Sequence, residues 1–165
     1  LEWNAIHPTE DYHNMVYLNL ENEIFVPNNF IRYTESPTVL RYYNGPIAAV
    51  DCFHSSLLKS NCRVTAQPDF GDVYISIKNS DSAVDPASLL EYIVSFRDEC
   101  HFHEEICETI YTRLWRFLKP EKLAVRCLYT RRGGIDICPE RVSHPELSHY
   151  ALNDSTLVHI KTPRQ

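Results

Sequence analysis

Apolar and polar residues alternate most regularly at Val73, Ile75 and Ile77, which are separated by Tyr74, Ser76 and Lys78. That period predicts a half-buried strand. The same alternation returns at Leu123, Val125, Cys127 and Tyr129, and Gly133-Gly134 then predicts a turn into a further strand over Ile135 to Cys138. Ahead of these, the β-prone run from Cys62 to Gln67, halted by Pro68, predicts a first strand, with Phe70-Gly71 as the tight connection to the second. Between the strand pairs the spacing changes to that of helices. Asp85 caps a helix opened by Pro86, with Leu89, Leu90, Ile93 and Val94 on its apolar face. A second helix carries Ile106, Cys107, Ile110, Leu114, Phe117 and Leu118, and Pro120 marks its end.

The order ββααββ predicts an α+β layer: an antiparallel four-stranded sheet with two helices on one face. Such a unit leaves sheet edges open, so a homo-oligomer is expected. Residues 1–50 read differently. Their apolar strings, Met15–Leu18 and Ile24–Val26, are short and are broken by Pro8, Pro27, Pro37 and Pro46, which predicts irregular structure with short strands. Residues 139–165 show little periodicity.

Composition narrows the class. The chain has 165 residues, 44% of them hydrophobic, enough for one domain with a real core. No run approaches the ~20 apolar residues of a membrane span. A net charge of -6 argues against a protein that grips nucleic acid through its phosphates. The six cysteines contain no C-x-x-C pair, and His101-Phe-His103 has no cysteine pair at structural-zinc spacing. No metal site is expected, and the thiols read as reduced in a cytosolic protein. The start, Leu-Glu-Trp-Asn, has neither a basic region nor an apolar signal core and reads as a cut inside a longer chain.

The stretch richest in chemistry is 59–70, Lys-Ser-Asn-Cys-Arg-Val-Thr-Ala-Gln-Pro-Asp-Phe. A thiolate is a strong nucleophile and a nearby acid can relay protons, so Cys62 and Asp69 are a candidate pair for covalent catalysis. The same two residues also fit a buried strand cysteine and a turn aspartate. His103 and Glu104 open the second helix. A glutamate there is favoured by the helix dipole, and a fixed carboxylate can equally accept two adjacent N–H donors from a ligand. Arg131-Arg132 reads either as a solvated hairpin corner or as a site for phosphate.

His54 to Cys62, Val64 to Gly71, Tyr92-Ile-Val-Ser-Phe-Arg97, Phe102-His-Glu104, Pro120-Glu-Lys-Leu123 and Tyr129 to Asp136 resemble, in this order, the 7-cyano-7-deazaguanine reductases of queuosine biosynthesis (the QueF family) in their two-module form. The resemblance covers roughly residues 50–138 and matches the carboxy-terminal, catalytic module. It implies the tunnelling fold, with residues 1–50 as the tail of an amino-terminal module and linker and 51–165 as the catalytic module. It also implies NADPH-dependent reduction of the nitrile to 7-aminomethyl-7-deazaguanine through a thioimidate. In that reaction Cys62 is the nucleophile, Asp69 assists proton transfer and His103 is associated with catalysis. Glu104 anchors the purine edge, Ser95 lies in a substrate block, and Arg131, Arg132 and Gly133 are placed for NADPH.

Two departures stand out. The family's lysine-bearing cofactor motif is absent, which suggests either a piece of a longer enzyme that lacks its amino-terminal module or a stand-alone relative that lost the motif; the absence of an initial Met favours the piece. Cys107 follows Glu104 by three residues rather than two, so a resting disulfide with Cys62 is not implied. One alternative is a related amidinotransferase adding ammonia to the same nitrile on transfer RNA; the acidic charge and the arginine–glycine block argue against it. Another is a non-catalytic purine-binding subunit. Such a binder needs only the glutamate, not Cys62, Asp69 and His103 as well.

Overall fold

The computed structural model describes residues 17–23 and 30–148. The expected strings Met15–Leu18 and Ile24–Val26 fall largely outside these residues. What is described of the first string is the two-residue strand β1, Leu18–Asn19, followed by the single turn α1, Leu20–Glu23.

A seven-stranded sheet is built around four main strands: β2 (Val50–Cys62), β3 (Pro68–Lys78), β5 (Lys122–Arg132) and β6 (Ile135–Ile137). These lie side by side in chain order, each antiparallel to the next. The two-residue β4 (Cys100–His101) pairs with β2 in parallel, and β7 (Glu140–Val142) pairs with β5. The helices are α2 (Pro86–Val94) and α3 (His103–Leu118). Asp85 accepts from the Ser88 N–H at 3.0 Å to start α2. Lys119, in the left-handed region at φ 49, ends α3 just ahead of Pro120.

Three sequence expectations are corrected. Residues 62–67 are not a strand: β2 arrives from Val50 and ends at Cys62, and the chain turns over 63–65 with Ala66 at φ 55. Pro68 opens β3 instead of halting a strand, since at the hairpin end its missing N–H costs no ladder bond. Phe70 and Gly71 accordingly lie inside β3 and are not a connection. Around this hairpin the β2–β3 register shifts once, between Ser55 and Leu58.

Alternation sorts the faces. Val73, Ile75 and Ile77 of β3 and Leu123, Val125, Cys127 and Tyr129 of β5 are all fully buried in one core with Leu89, Leu90 and Ile93 of α2 and Ile106, Ile110 and Leu114 of α3. Both helices therefore cover the same face, as the pattern predicts. Leu20, Val39 and Leu40 enter this core too. Glu35 fastens its segment to both helices, accepting from the Tyr92 hydroxyl and from Arg113 Nε, each at 3.0 Å. Among the described residues, no helix is long and apolar enough to cross a membrane.

Candidate active site

The β2–β3 hairpin brings together residues that the chain order separates. Ser60 lies opposite Asp69 and Asn61 opposite Pro68. The Cys62 N–H donates to the Gln67 carbonyl at 2.8 Å, and the Ala66 N–H to the Cys62 carbonyl at 2.9 Å, closing the turn at its base. Cys62 is half-buried at the strand end. Hydrogen bonds from the Thr65 hydroxyl, the Thr65 N–H and the Val64 N–H hold its thiol below the ordinary range, outweighing the opposing effects of burial and of the Asp69 charge. Cys62 is thus a thiol predisposed to ionise.

Strand β4 delivers α3 to the same place. Its parallel register sets Cys62 beside His101, so that α3 begins two residues later with His103. The Phe102 N–H donates to Glu105 Oε2 at 2.9 Å, bracing the helix start. Arg63 ties the turn to this start, pairing with Glu105 Oε2 at 2.9 Å and lying over the Phe102 ring at 5.2 Å.

Asp69 is fully buried on the core face of β3. Its Oδ1 receives Arg132 Nε at 2.9 Å and also Arg132 Nη2. His103 Nε2 lies 3.3 Å from the same oxygen, within ion-pair distance but outside hydrogen-bond geometry. Arg132 Nη1 further donates to Gln67 Oε1 at 2.6 Å. The rings of His103 and Tyr129 pack in a T-shaped arrangement with centroids 4.4 Å apart. Cys62, Asp69 and His103 therefore form one constellation at the open end of the sheet. Arg132, Tyr129 and Thr65 join it.

Glu104 is exposed in the first turn of α3 beside this constellation, and its carboxylate has no hydrogen bond or ion pair among the described residues. Ser95 is different. It is fully buried, its hydroxyl donating to the Tyr92 carbonyl at 2.7 Å and accepting from the Ser36 N–H at 3.4 Å. Its hydroxyl is thus occupied in holding the end of α2.

The arginine–glycine corner is not a ready phosphate cradle. Arg131 pairs with Asp136 at 2.6 Å across the β5–β6 hairpin, and Arg132 is engaged by Asp69 and Gln67. Gly133 and Gly134 have φ values of 58 and 81 and face open space, which suits the turn. Both arginines expected to meet NADPH are thus engaged by protein partners in this arrangement.

Tyr129 was not expected in this site, and Arg132 was expected to meet a cofactor phosphate rather than Asp69. They lie in the Tyr129 to Asp136 motif, but nothing in the sequence says that β5 borders β3 rather than another strand. A cleft of about 450 Å³ along the outer edge of β2 is lined by Tyr33, Ser56, Leu57, Lys59, Phe70, Arg97 and Asp98. Neither the thiol nor Asp69, His103 or Glu104 lines it, because Lys59 and Phe70 point to the opposite face from Ser60 and Asp69. Among the described residues no cluster of three or more His, Cys, Asp or Glu is arranged to hold a metal ion, and no disulfide is formed. Cys107 is buried, its Sγ 3.5 Å from the carbonyls of Val125 and Pro139.

The family model described as QueF-like protein matches residues 68–147. The NADPH-dependent 7-cyano-7-deazaguanine reductase of Paracidovorax citrulli (strain AAC00-1) is 46% identical over 114 residues, covering 69% of this chain and 40% of the relative. That of Polaromonas naphthalenivorans (strain CJ2) is 47% identical over 115 residues, covering 70% and 40%. The chain thus spans about two fifths of the length of these curated relatives. Among solved structures, the archaeosine synthase QueF-Like in the apo form superposes with a TM-score of 0.56 at 13% identity, covering 59% of this chain and 96% of that one. This likeness establishes the architecture, the tunnelling fold. The carboxy-terminal region of the chain, over residues 68–147, is QueF-like.

Proposed function

We propose that this chain is the catalytic module of an enzyme that captures the nitrile of 7-cyano-7-deazaguanine on Cys62 and reduces it, with NADPH, to 7-aminomethyl-7-deazaguanine. The observation that carries the reading is the convergence of an activated thiol, Cys62, with the buried Asp69–His103 pair at the end of the β2–β3 hairpin. The curated relatives' names supply the substrate and the cofactor.

The chemistry follows from the groups present. The Cys62 sulfur adds to the nitrile carbon, one π bond of the nitrile opens, and its nitrogen takes a proton. The product is a thioimidate. On this reading the Asp69–His103 pair manages that proton, while Arg132 keeps the Asp69 carboxylate in place. Glu104, exposed in the first turn of α3 and without a hydrogen-bond or ion-pair partner among the described residues, accepts the N–H donors of the deazaguanine edge. Ser95 acts on the substrate only through the 95–98 turn that it anchors.

NADPH would supply hydride when bound. Arg131, Arg132 and Gly133 are its proposed contacts, Arg131 by exchanging Asp136 for a phosphate and Arg132 through Nη1, now on Gln67, while its other donors stay on Asp69. We therefore read the cofactor as held mainly by residues of an amino-terminal module. On the same reading residues 1–50 are the tail of that module and linker, residues 51–165 are the catalytic module, the cytosol is the setting, and copies associate through open sheet edges such as β6.

Intact mass spectrometry with 7-cyano-7-deazaguanine tests the proposal. The expected result is a single adduct of substrate mass, absent from Cys62→Ala. No adduct, or one that survives this substitution, overturns it.

A further inference from the structure

The floor of the site holds an unusual concentration of unsatisfied polar atoms. Ser60 Oγ, Asp69 Oδ2, His103 Nε2 and Tyr129 Oη are all buried and without a hydrogen-bond partner among the described residues. They belong to one neighbourhood. Ser60 faces Asp69 across the β2–β3 ladder, His103 lies against Asp69, and the His103 ring meets Tyr129. Buried polar atoms are normally bonded, so a cluster of exceptions marks a surface shaped for a polar guest.

Tyr129 has the least reason to carry its polar atom for packing. Its ring is fully buried and lies across Gly71, its cross-strand partner. A Cβ at Gly71 would come within 2.8 Å of Tyr129 Cδ1. A phenylalanine would fill that space equally well. Burial, with the neighbouring thiols and the Asp69 and Glu104 carboxylates, pushes the Tyr129 phenol well up. The hydroxyl therefore keeps its proton and stays a donor.

We propose that Tyr129 is a further substrate-contacting residue of the site: its ring packs against His103 beside Asp69, and its hydroxyl completes, with Ser60 Oγ, Asp69 Oδ2 and His103 Nε2, the polar floor that receives the nitrogen-bearing group of the substrate. This rests on the nitrile-capture reading given above. It adds a residue outside the thiol, acid, histidine and glutamate set, and it assigns a cost in stability to the bare hydroxyl.

Tyr129→Phe tests it, because the ring stays and only the hydroxyl goes. Three quantities are measured on the same 165-residue chain: the ligand-free melting temperature, the rate of Cys62 alkylation by iodoacetamide, and the rate of adduct formation with 7-cyano-7-deazaguanine. The expected result is a melting temperature unchanged or raised, alkylation unchanged, and adduct formation slowed by about tenfold, the loss of roughly one hydrogen bond. A lowered melting temperature overturns the inference, because the hydroxyl then serves the fold. Equal adduct rates overturn it alone, and parallel slowing of both reactions overturns it as a general disturbance. Absence of any adduct in the unsubstituted protein overturns the nitrile reading and this inference with it.

Discussion

Arg132 reaches Asp69 from two strands away in sequence, its Nε donating to Oδ1 at 2.9 Å. The contact joins the end of β5 to the start of β3 and gives a carboxylate that is only 1% exposed its cation. A buried charge deprived of its partner is costly.

Arg132→Met should therefore destabilise the fold by about 3 kcal/mol, the low end of the range for a broken buried pair, because the arginine itself is one third exposed. Urea denaturation reads this as a lower midpoint at unchanged slope. Arg132→Lys should recover only part of the loss, since lysine keeps the charge but not the fork. A midpoint unchanged in Arg132→Met would mean that Asp69 is satisfied by other means.

The Thr65 hydroxyl is the largest of the influences that lower the Cys62 thiol. The thiolate is the reactive form, so alkylation of Cys62 should rise with pH through a midpoint below the ordinary thiol range and level off above it. Thr65→Val removes the hydroxyl and keeps the shape, which should move the midpoint upward. The check is iodoacetamide labelling followed by peptide mass spectrometry across pH. Coincident profiles for the two proteins would refute the role of Thr65.

Glu104→Leu should leave stability nearly unchanged, because the side chain is exposed and bonds to nothing else among the described residues. It should weaken binding of 7-cyano-7-deazaguanine by at least about tenfold, or ~1.4 kcal/mol. Calorimetry with the Cys62→Ala protein separates this binding from capture. Unchanged affinity would remove Glu104 from the substrate edge.

Gly71→Ala adds one methyl group against Tyr129 Cδ1 at 2.8 Å and the Leu128 carbonyl at 3.3 Å. Neither neighbour has room to retreat inside the core, so a loss of about 1–3 kcal/mol is expected in thermal or urea unfolding. A neutral substitution would mean that the Tyr129 ring is free to shift.

The strands and helices with regular alternation were legible in the sequence: β3 from Val73 onward, β5, and both helices with the Asp85 cap and the Pro120 stop. The hairpin at Cys62 was not. Val64 and Thr65 are β-branched and invite a strand, whereas the turn is closed by Ala66 at φ 55, a residue type that gives no sign of left-handed backbone. Strand β7 has three residues, too few to show a period. In the candidate site, Cys62, Asp69, His103 and Glu104 were legible from motifs. Arg132 was read toward phosphate because charge alone does not reveal its partner. That partner is 63 positions away, and Arg132 reaches it beyond the last β3–β5 pair, Gly71–Tyr129, past an irregularity of β5 between Tyr129 and Arg132.

The two halves of the site differ in how much of the chain they require. Cys62 is activated by Val64 and Thr65, its own near neighbours, so even a loosened hairpin keeps a reactive thiol. Asp69, His103 and Arg132 meet only when β3, α3 and β5 are all docked. Any state in which the turn is kept and α3 is undocked therefore leaves a lowered Cys62 thiol without its acid partners, open to electrophiles and oxidants with no selectivity of its own.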